Sequence, residues 1–132
     1  MAPGKKSRTI LHFGTDRTAQ LARSRNLNRM GYEVLNSTNG FEAIQLACLD
    51  VVDAVVLDQE GNLAEVELVA AEIKRSRPQV PTILLVERAP SRARGPALVD
   101  AMVSQNDNVS VLVTTLEALL PKESAEPAAA TE

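Results

Sequence analysis

Apolar residues in this chain fall into two patterns, unbroken runs of four or five and sparser sets at helical spacing. Thr9–Phe13 is short, rich in β-formers and closed by Gly14, which predicts a first buried strand. Thr15 or Asp16 then stands where a cap opens a helix running to about Met30, with Gly31 as its C′ glycine. Leu21, Ala22, Leu27 and Met30 are nearly the whole apolar set of that helix. Glu33–Asn36 predicts a short second strand. Asn39 followed by Glu42 resembles a capping box, opening a helix that carries Phe41, Ile44, Ala47 and Cys48. The clearest strand is Ala54–Leu57, ending at Asp58. After the Gln59–Asn62 loop, Leu63, Val66, Ala70 and Ile73 mark one face of a third helix, which stops before Pro78. Thr82–Val86 predicts a fourth strand and Glu87–Pro96 a loop of arginines and prolines. The pattern then predicts a short helix over Ala97–Val103, a fifth strand over Val109–Val113, and a last helix over Thr115–Leu120, cut by Pro121.

This βαβαβαβαβα order predicts an α/β domain with a five-stranded parallel sheet covered on both faces. Function in such sheets gathers at the carboxyl ends of the strands near the switch point. Gly14-Thr15-Asp16, Asp58, Val86-Glu87 and Val113-Thr114 are therefore the positions of interest. A flexible N-terminus over residues 1–8, a domain over 9–121 and a disordered alanine- and glutamate-rich tail over 122–132 complete the expected organisation.

Composition sharpens this picture. The 132 residues suit one domain, and with only Phe13, Phe41 and Tyr32 as aromatics the core must be aliphatic. The lone Cys48 excludes a disulfide within the chain and is expected to be a buried, inert thiol. A net charge of −3 and the scarcity of stacking aromatics argue against nucleic-acid binding. No apolar run approaches the ~18 residues of a membrane span, and no signal-type stretch follows the basic N-terminus, so a cytoplasmic protein is expected. His12, the only histidine, lies inside the first strand and is expected to be a partly buried structural imidazole. Neither a Ser/His/Asp set nor a phosphate-cradling glycine loop is present.

The stretch Gly31–Asp58, GYEVLNSTNGFEAIQLACLDVVDAVVLD, and the proline-flanked RPQVPTILLVE of Arg77–Glu87 resemble the receiver domains of two-component signalling. The resemblance spans roughly Arg8 to Leu120 and implies a flavodoxin-like, three-layer fold. It also implies that Asp58, ending the third strand, occupies the phospho-acceptor position. Phosphoryl transfer in that family needs Mg²⁺ on hard oxygen ligands and a cation over the remaining charge. The family's acidic pair falls on Gly14 and Thr15. Asp16, next along, suits a helix cap better than a metal ligand, and Glu60 falls where the family offers a backbone carbonyl. The switch hydroxyl falls on Val86. The lysine after the fifth strand has no counterpart around Thr114, since no lysine occurs between Lys74 and Lys122.

The resemblance thus implies a degenerate receiver: a signalling and protein-interaction module, not an enzyme, with no resident metal or cofactor. Its expected partners are proteins, a histidine kinase among them, and neither nucleic acid nor membrane. Asp58 would then persist as a strand-end residue bonded to nearby backbone N–H groups. Arg88, in the loop after the fourth strand, is the candidate cation to cover it. Two alternatives stand beside this reading. One is a working phospho-acceptor using Asp58 and Mg²⁺. The other is a small-ligand-binding domain, which needs an open polar cleft at the strand ends, where bulky Val86 and Leu112 count against one.

Overall fold

The computed structural model describes residues 7–59, 63–87 and 99–121. Five strands, β1 (Thr9–Phe13), β2 (Glu33–Ser37), β3 (Val52–Asp58), β4 (Thr82–Val86) and β5 (Ala101–Ser104), form one sheet in the order β2-β1-β3-β4-β5. All four pairings are parallel. The helices among the described residues are α1 (Arg17–Arg29), α2 (Gly40–Ala47), α3 (Leu63–Ser76) and α4 (Val109–Leu119). From β1 the chain moves outward to β2, then returns through β3 toward β4 and β5. The switch point therefore lies between the carboxyl ends of β1 and β3.

Side chains alternate across each strand, and the two faces bury separate aliphatic cores. Leu11, Phe13, Val55, Leu57, Leu84 and Val86 pack against Ala43 and Ala47 of α2 and Val66, Val69, Ala70 and Ile73 of α3. Ile10, Ala54, Val56, Ile83, Leu85 and Val103 pack on the other face against Leu27 of α1 and Leu112, Val113 and Leu116 of α4. Burial of each such aliphatic side chain is worth roughly 1.5–3 kcal/mol. Asp58 lies two residues beyond Val56, so alternation sends its side chain toward α1 and α4.

Several local expectations hold. The Asp16 carboxylate accepts from Ala19 N at 3.1 Å and caps α1. The Asn39 side chain accepts from Glu42 N at 3.0 Å and caps α2. Gly31 has φ 100°, the left-handed conformation expected after a helix end.

The C-terminal third departs from the expected elements. The fifth strand is Ala101–Ser104, inside the span expected to be helical, and Val109–Val113 opens helix α4 instead of forming a strand. Residues 109–113 form a short, β-branched run that reads as a strand when taken alone. Continued to Leu120, however, the buried set Leu112, Val113, Leu116 and Leu120 has helical spacing, and Asn108 caps its start by accepting from Ser110 N. The edge strand β5 has only Val103 fully buried, which explains its faint hydrophobic signal.

Two burial expectations also fail. Cys48 is exposed, at the C-cap of α2, and Phe41 is 72% exposed because α2 turns Ala43 and Ala47 to the core. On α1, Leu21 and Met30 are exposed, whereas Gln20, Ser24 and Leu27 are buried. The inward face of this helix is mostly polar. The expected N-terminal and C-terminal segments, residues 1–8 and 122–132, fall almost wholly outside the described residues.

Candidate functional site

The polar face of α1 lies over the carboxyl ends of β1, β2 and β3, where strand-end groups need donors. Gln20 Nε2 donates to the carbonyls of His12 (3.1 Å) and Ser37 (2.9 Å). Ser24 Oγ donates to Asn36 Oδ1 at 2.8 Å. One turn along the same face, Arg23 Nη1 reaches Asp58 Oδ2 at 3.3 Å and stands 3.3 Å from His12 Nε2. The ion pair is largely desolvated, with the Asp58 side chain 3% exposed and that of Arg23 16%.

A guanidinium has only donors to offer, so His12 Nε2 is the acceptor and the ring proton sits on Nδ1. His12 is fully buried, not partly so as expected from the sequence. Its burial, with the neighbouring Arg23 charge adding to the effect, lowers its pKa to about 3. Asn36 pulls the other way. Its Oδ1 is already engaged by Ser24, and no hydrogen bond of good geometry reaches His12 Nδ1.

From the opposite side, Gln105 Nε2 donates to Asp58 Oδ1. Because β5 ends at Ser104, the position following the fifth strand is Gln105 and not Thr114, which lies exposed in the middle of α4. Among the described residues, Asp58 is thus held by Arg23 and Gln105 from distant segments, where backbone donors and Arg88 were expected. The space in front of it is narrow. A Cβ placed on Gly14 would stand 3.0 Å from Asp58 Cβ, so the glycine allows β1 to pass close to the carboxylate.

The remaining sequence candidates are dispersed. Thr15 and Asp16 are exposed, the latter acting as the α1 cap. Val86 packs into the core against α2 and α3, on the face opposite Asp58. Glu60 and Arg88 lie outside the described residues, so the expected Arg88–Asp58 contact does too. Among the described residues, no group of three His, Cys, Asp or Glu side chains is placed to hold a metal ion.

Arg23 and Gln105 also form part of the wall of a cavity of about 250 Å³ between α1 and α4. Leu85, Val103 and Leu112 supply its apolar surface, and Asn26, Asp107 and Asn108 its polar edge. Sequence reasoning missed Arg23 and Gln105. The signal for Arg23 was the spacing of Gln20, Ser24 and Leu27, which places it on the inward face. Gln105 could be found only by ending β5 at the right residue.

No family model and no curated protein sequence matches the chain. Solved structures do match it. It is similar to the receiver domain of the sensor histidine kinase PA1611 from Pseudomonas aeruginosa, described with magnesium in its active-site cleft. That match has 20% identity over 86% of this chain and 98% of the other, with a TM-score of 0.75. It is similar to the response regulator TrrA from Thermotoga maritima in complex with Mg²⁺–BeF, at 25% identity over 86% and 99% of the two chains, with a TM-score of 0.75. TrrA bound to the histidine kinase ThkA also matches, at 26% identity, 86% and 99% coverage and a TM-score of 0.74. The five-stranded parallel sheet and its flanking helices are the flavodoxin-like, CheY-like fold of response-regulator receiver domains.

Proposed function

We propose that this chain is a cytoplasmic, receiver-like signalling module that acts through protein contacts and is not phosphorylated on Asp58 by the usual magnesium-assisted route. The observation that carries this reading is the grip on Asp58: Arg23 at 3.3 Å on one carboxylate oxygen and Gln105 on the other. A phospho-acceptor oxygen must be open to an incoming phosphoryl group and share a divalent cation with it.

The donor set does not suit that cation. Gly14 and Thr15 stand where the family resemblance puts the acidic pair, and a side chain at Gly14 would crowd Asp58. Mg²⁺ favours hard anionic oxygens, and here a guanidinium already faces the carboxylate. Gln105, at the position after the fifth strand, is a neutral donor where the family carries a lysine. Val86 cannot hydrogen-bond a phosphoryl oxygen.

On this reading the signal passes through a protein surface. The similar TrrA structure in complex with ThkA supports a histidine kinase as one class of partner. Among the described residues, no helix is long and apolar enough to cross a membrane.

The test is incubation with acetyl phosphate and Mg²⁺, followed by intact-mass measurement. The unmodified mass is expected, together with no calorimetric Mg²⁺ binding below the millimolar range. A single phosphate adduct that disappears in Asp58→Asn would establish the phospho-acceptor alternative instead.

A further inference from the structure

The cavity between α1 and α4 provides the open polar cleft beside the strand ends that a small-ligand site requires. We infer that it is a binding site for a small uncharged molecule bearing an amide or lactam edge on an apolar ring. The site belongs to the chain with Asp58 unmodified and so rests on the reading above.

Size sets the first limit. At about 250 Å³ the cavity lies just below the usual range of ligand pockets and holds the equivalent of roughly eight waters, enough for a single ring with one substituent.

Charge sets the second. Among the described residues the one cation in the wall, Arg23, is already paired with Asp58 at 3.3 Å, so an anion entering the cavity finds little uncompensated positive charge there. Asp107, exposed at the rim, adds negative charge and disfavours anions further.

The free hydrogen-bonding groups define the ligand's edge. Gln105 gives its Nε2 to Asp58, and no described residue takes its Oε1, leaving an acceptor for the cavity. Asn108 Oδ1 is taken by Ser110 N, and Asn26 Oδ1 lies 3.4 Å from Arg29 Nη1, so each keeps its amide N–H₂ as a donor. An acceptor and two donors lining one cavity complement an amide, which carries both N–H and C=O. Leu85, Val103 and Leu112 then meet the apolar body. Arg23 and Gln105 also hold Asp58, so an occupant changes the surroundings of the strand end.

Three near-isosteric probes decide the matter: benzamide, benzoate and benzylamine, each titrated into ¹⁵N-labelled full-length protein. Benzamide is expected to move the amide resonances of Ala22, Arg23, Gln105, Val109 and Asp58, with a Kd of about 1 mM for a fragment of this size. The two charged probes are expected to bind at least tenfold more weakly. Ala22→Leu inserts bulk into the cavity from an exposed helical position that tolerates leucine, and it should weaken benzamide at least tenfold with the circular dichroism spectrum unchanged. No response to benzamide up to about 20 mM would overturn the inference. So would perturbations on another face, benzoate or benzylamine binding as well as benzamide, or benzamide binding unaffected by Ala22→Leu in a folded variant.

Discussion

Replacing Arg23 with methionine keeps the helix and most of the side-chain length but removes the charge facing Asp58. At 3.3 Å and an effective dielectric of about 20, the attraction in this pair is ~5 kcal/mol before either ion's desolvation is counted. Desolvation offsets most of that, so the pair's net worth is small. Removing only the guanidinium is a different perturbation, because it leaves a carboxylate 3% exposed with Gln105 as a donor and deprives His12 Nε2 of its partner. Breaking fully buried pairs from one side costs roughly 3–5 kcal/mol. Arg23 retains 16% exposure, through which water can enter, and Gln105 keeps its bond, so Arg23→Met is expected to cost about 2–3 kcal/mol. Asp58→Asn should cost less, about 1–2 kcal/mol, because Arg23 at the cavity wall can turn to solvent. The double variant should lose about 1–2 kcal/mol less than the sum of the two single losses, since both changes break one contact. Urea unfolding at pH 7 measures all four proteins, with equal m-values as the condition for comparison. A loss below about 1 kcal/mol in Arg23→Met, or strict additivity in the double variant, would refute the clamp. Stabilisation by Asp58→Asn would mean that a second carboxylate crowds Asp58.

His12 links stability to pH. Its pKa is about 6.5 when unfolded and about 3 when folded, so the unfolded chain binds the extra proton between those values. This contribution is fully present above about pH 6.5 and declines toward pH 3, at up to ~1.4 kcal/mol per pH unit. His12→Gln, which keeps a polar acceptor but cannot titrate there, should flatten that slope in urea melts, and identical slopes would contradict the assignment. Gly14→Asp sets a second carboxylate beside Asp58 behind a Cβ contact of 3.0 Å. Like charges about 4 Å apart repel by ~4 kcal/mol at an effective dielectric of about 20, and Arg23 offsets part of this, so a loss of about 2 kcal/mol at neutral pH is expected. Combining it with Asp58→Asn should recover much of that loss, and an unaffected Gly14→Asp would disprove the close packing of β1 on Asp58.

The strands that carry the site were legible because each is an unbroken aliphatic run with a clear stop. Gly14 ends β1, Asp58 ends β3 and Val86 ends β4, and the caps Asp16 and Asn39 fix the helix starts beside them. The C-terminal third was less legible. Val109–Val113 satisfies both a strand and the first turn of a helix, and only packing of Leu112 and Leu116 on the sheet decides between them. That ambiguity displaced the end of the fifth strand and hid Gln105. Arg23 was hidden for a different reason. Hydrophobic periodicity finds the inward face of a helix only if that face is apolar, and on α1 it is built from Gln20, Arg23, Ser24 and Leu27. The exposed Leu21 and Met30 indicated the wrong side.

On the proposed reading, the residues around Asp58 act together as one charge balance. Among the described residues the buried strand end carries the carboxylate of Asp58, and α1 supplies a cation to it through Arg23. With that charge provided from the helix, the position after β5 needs only a neutral donor, and Gln105 fills the second oxygen without adding a positive charge. His12 completes the arrangement by remaining neutral: a protonated imidazole 3.3 Å from the guanidinium would repel the group that holds Asp58. The sum over Asp58, Arg23 and His12 is then zero. Phosphorylation would replace the single carboxylate charge with a phosphoryl group of about −1.5 to −2, a net addition of up to about −1. Among the described residues the guanidinium of Arg23 is already committed to Asp58, and Gly14 offers no ligand to a divalent cation that could meet the added charge. On the proposed reading the pocket is balanced for unmodified Asp58, and a signal entering this domain acts on its surfaces or on the cavity that shares Arg23 and Gln105 with the strand end.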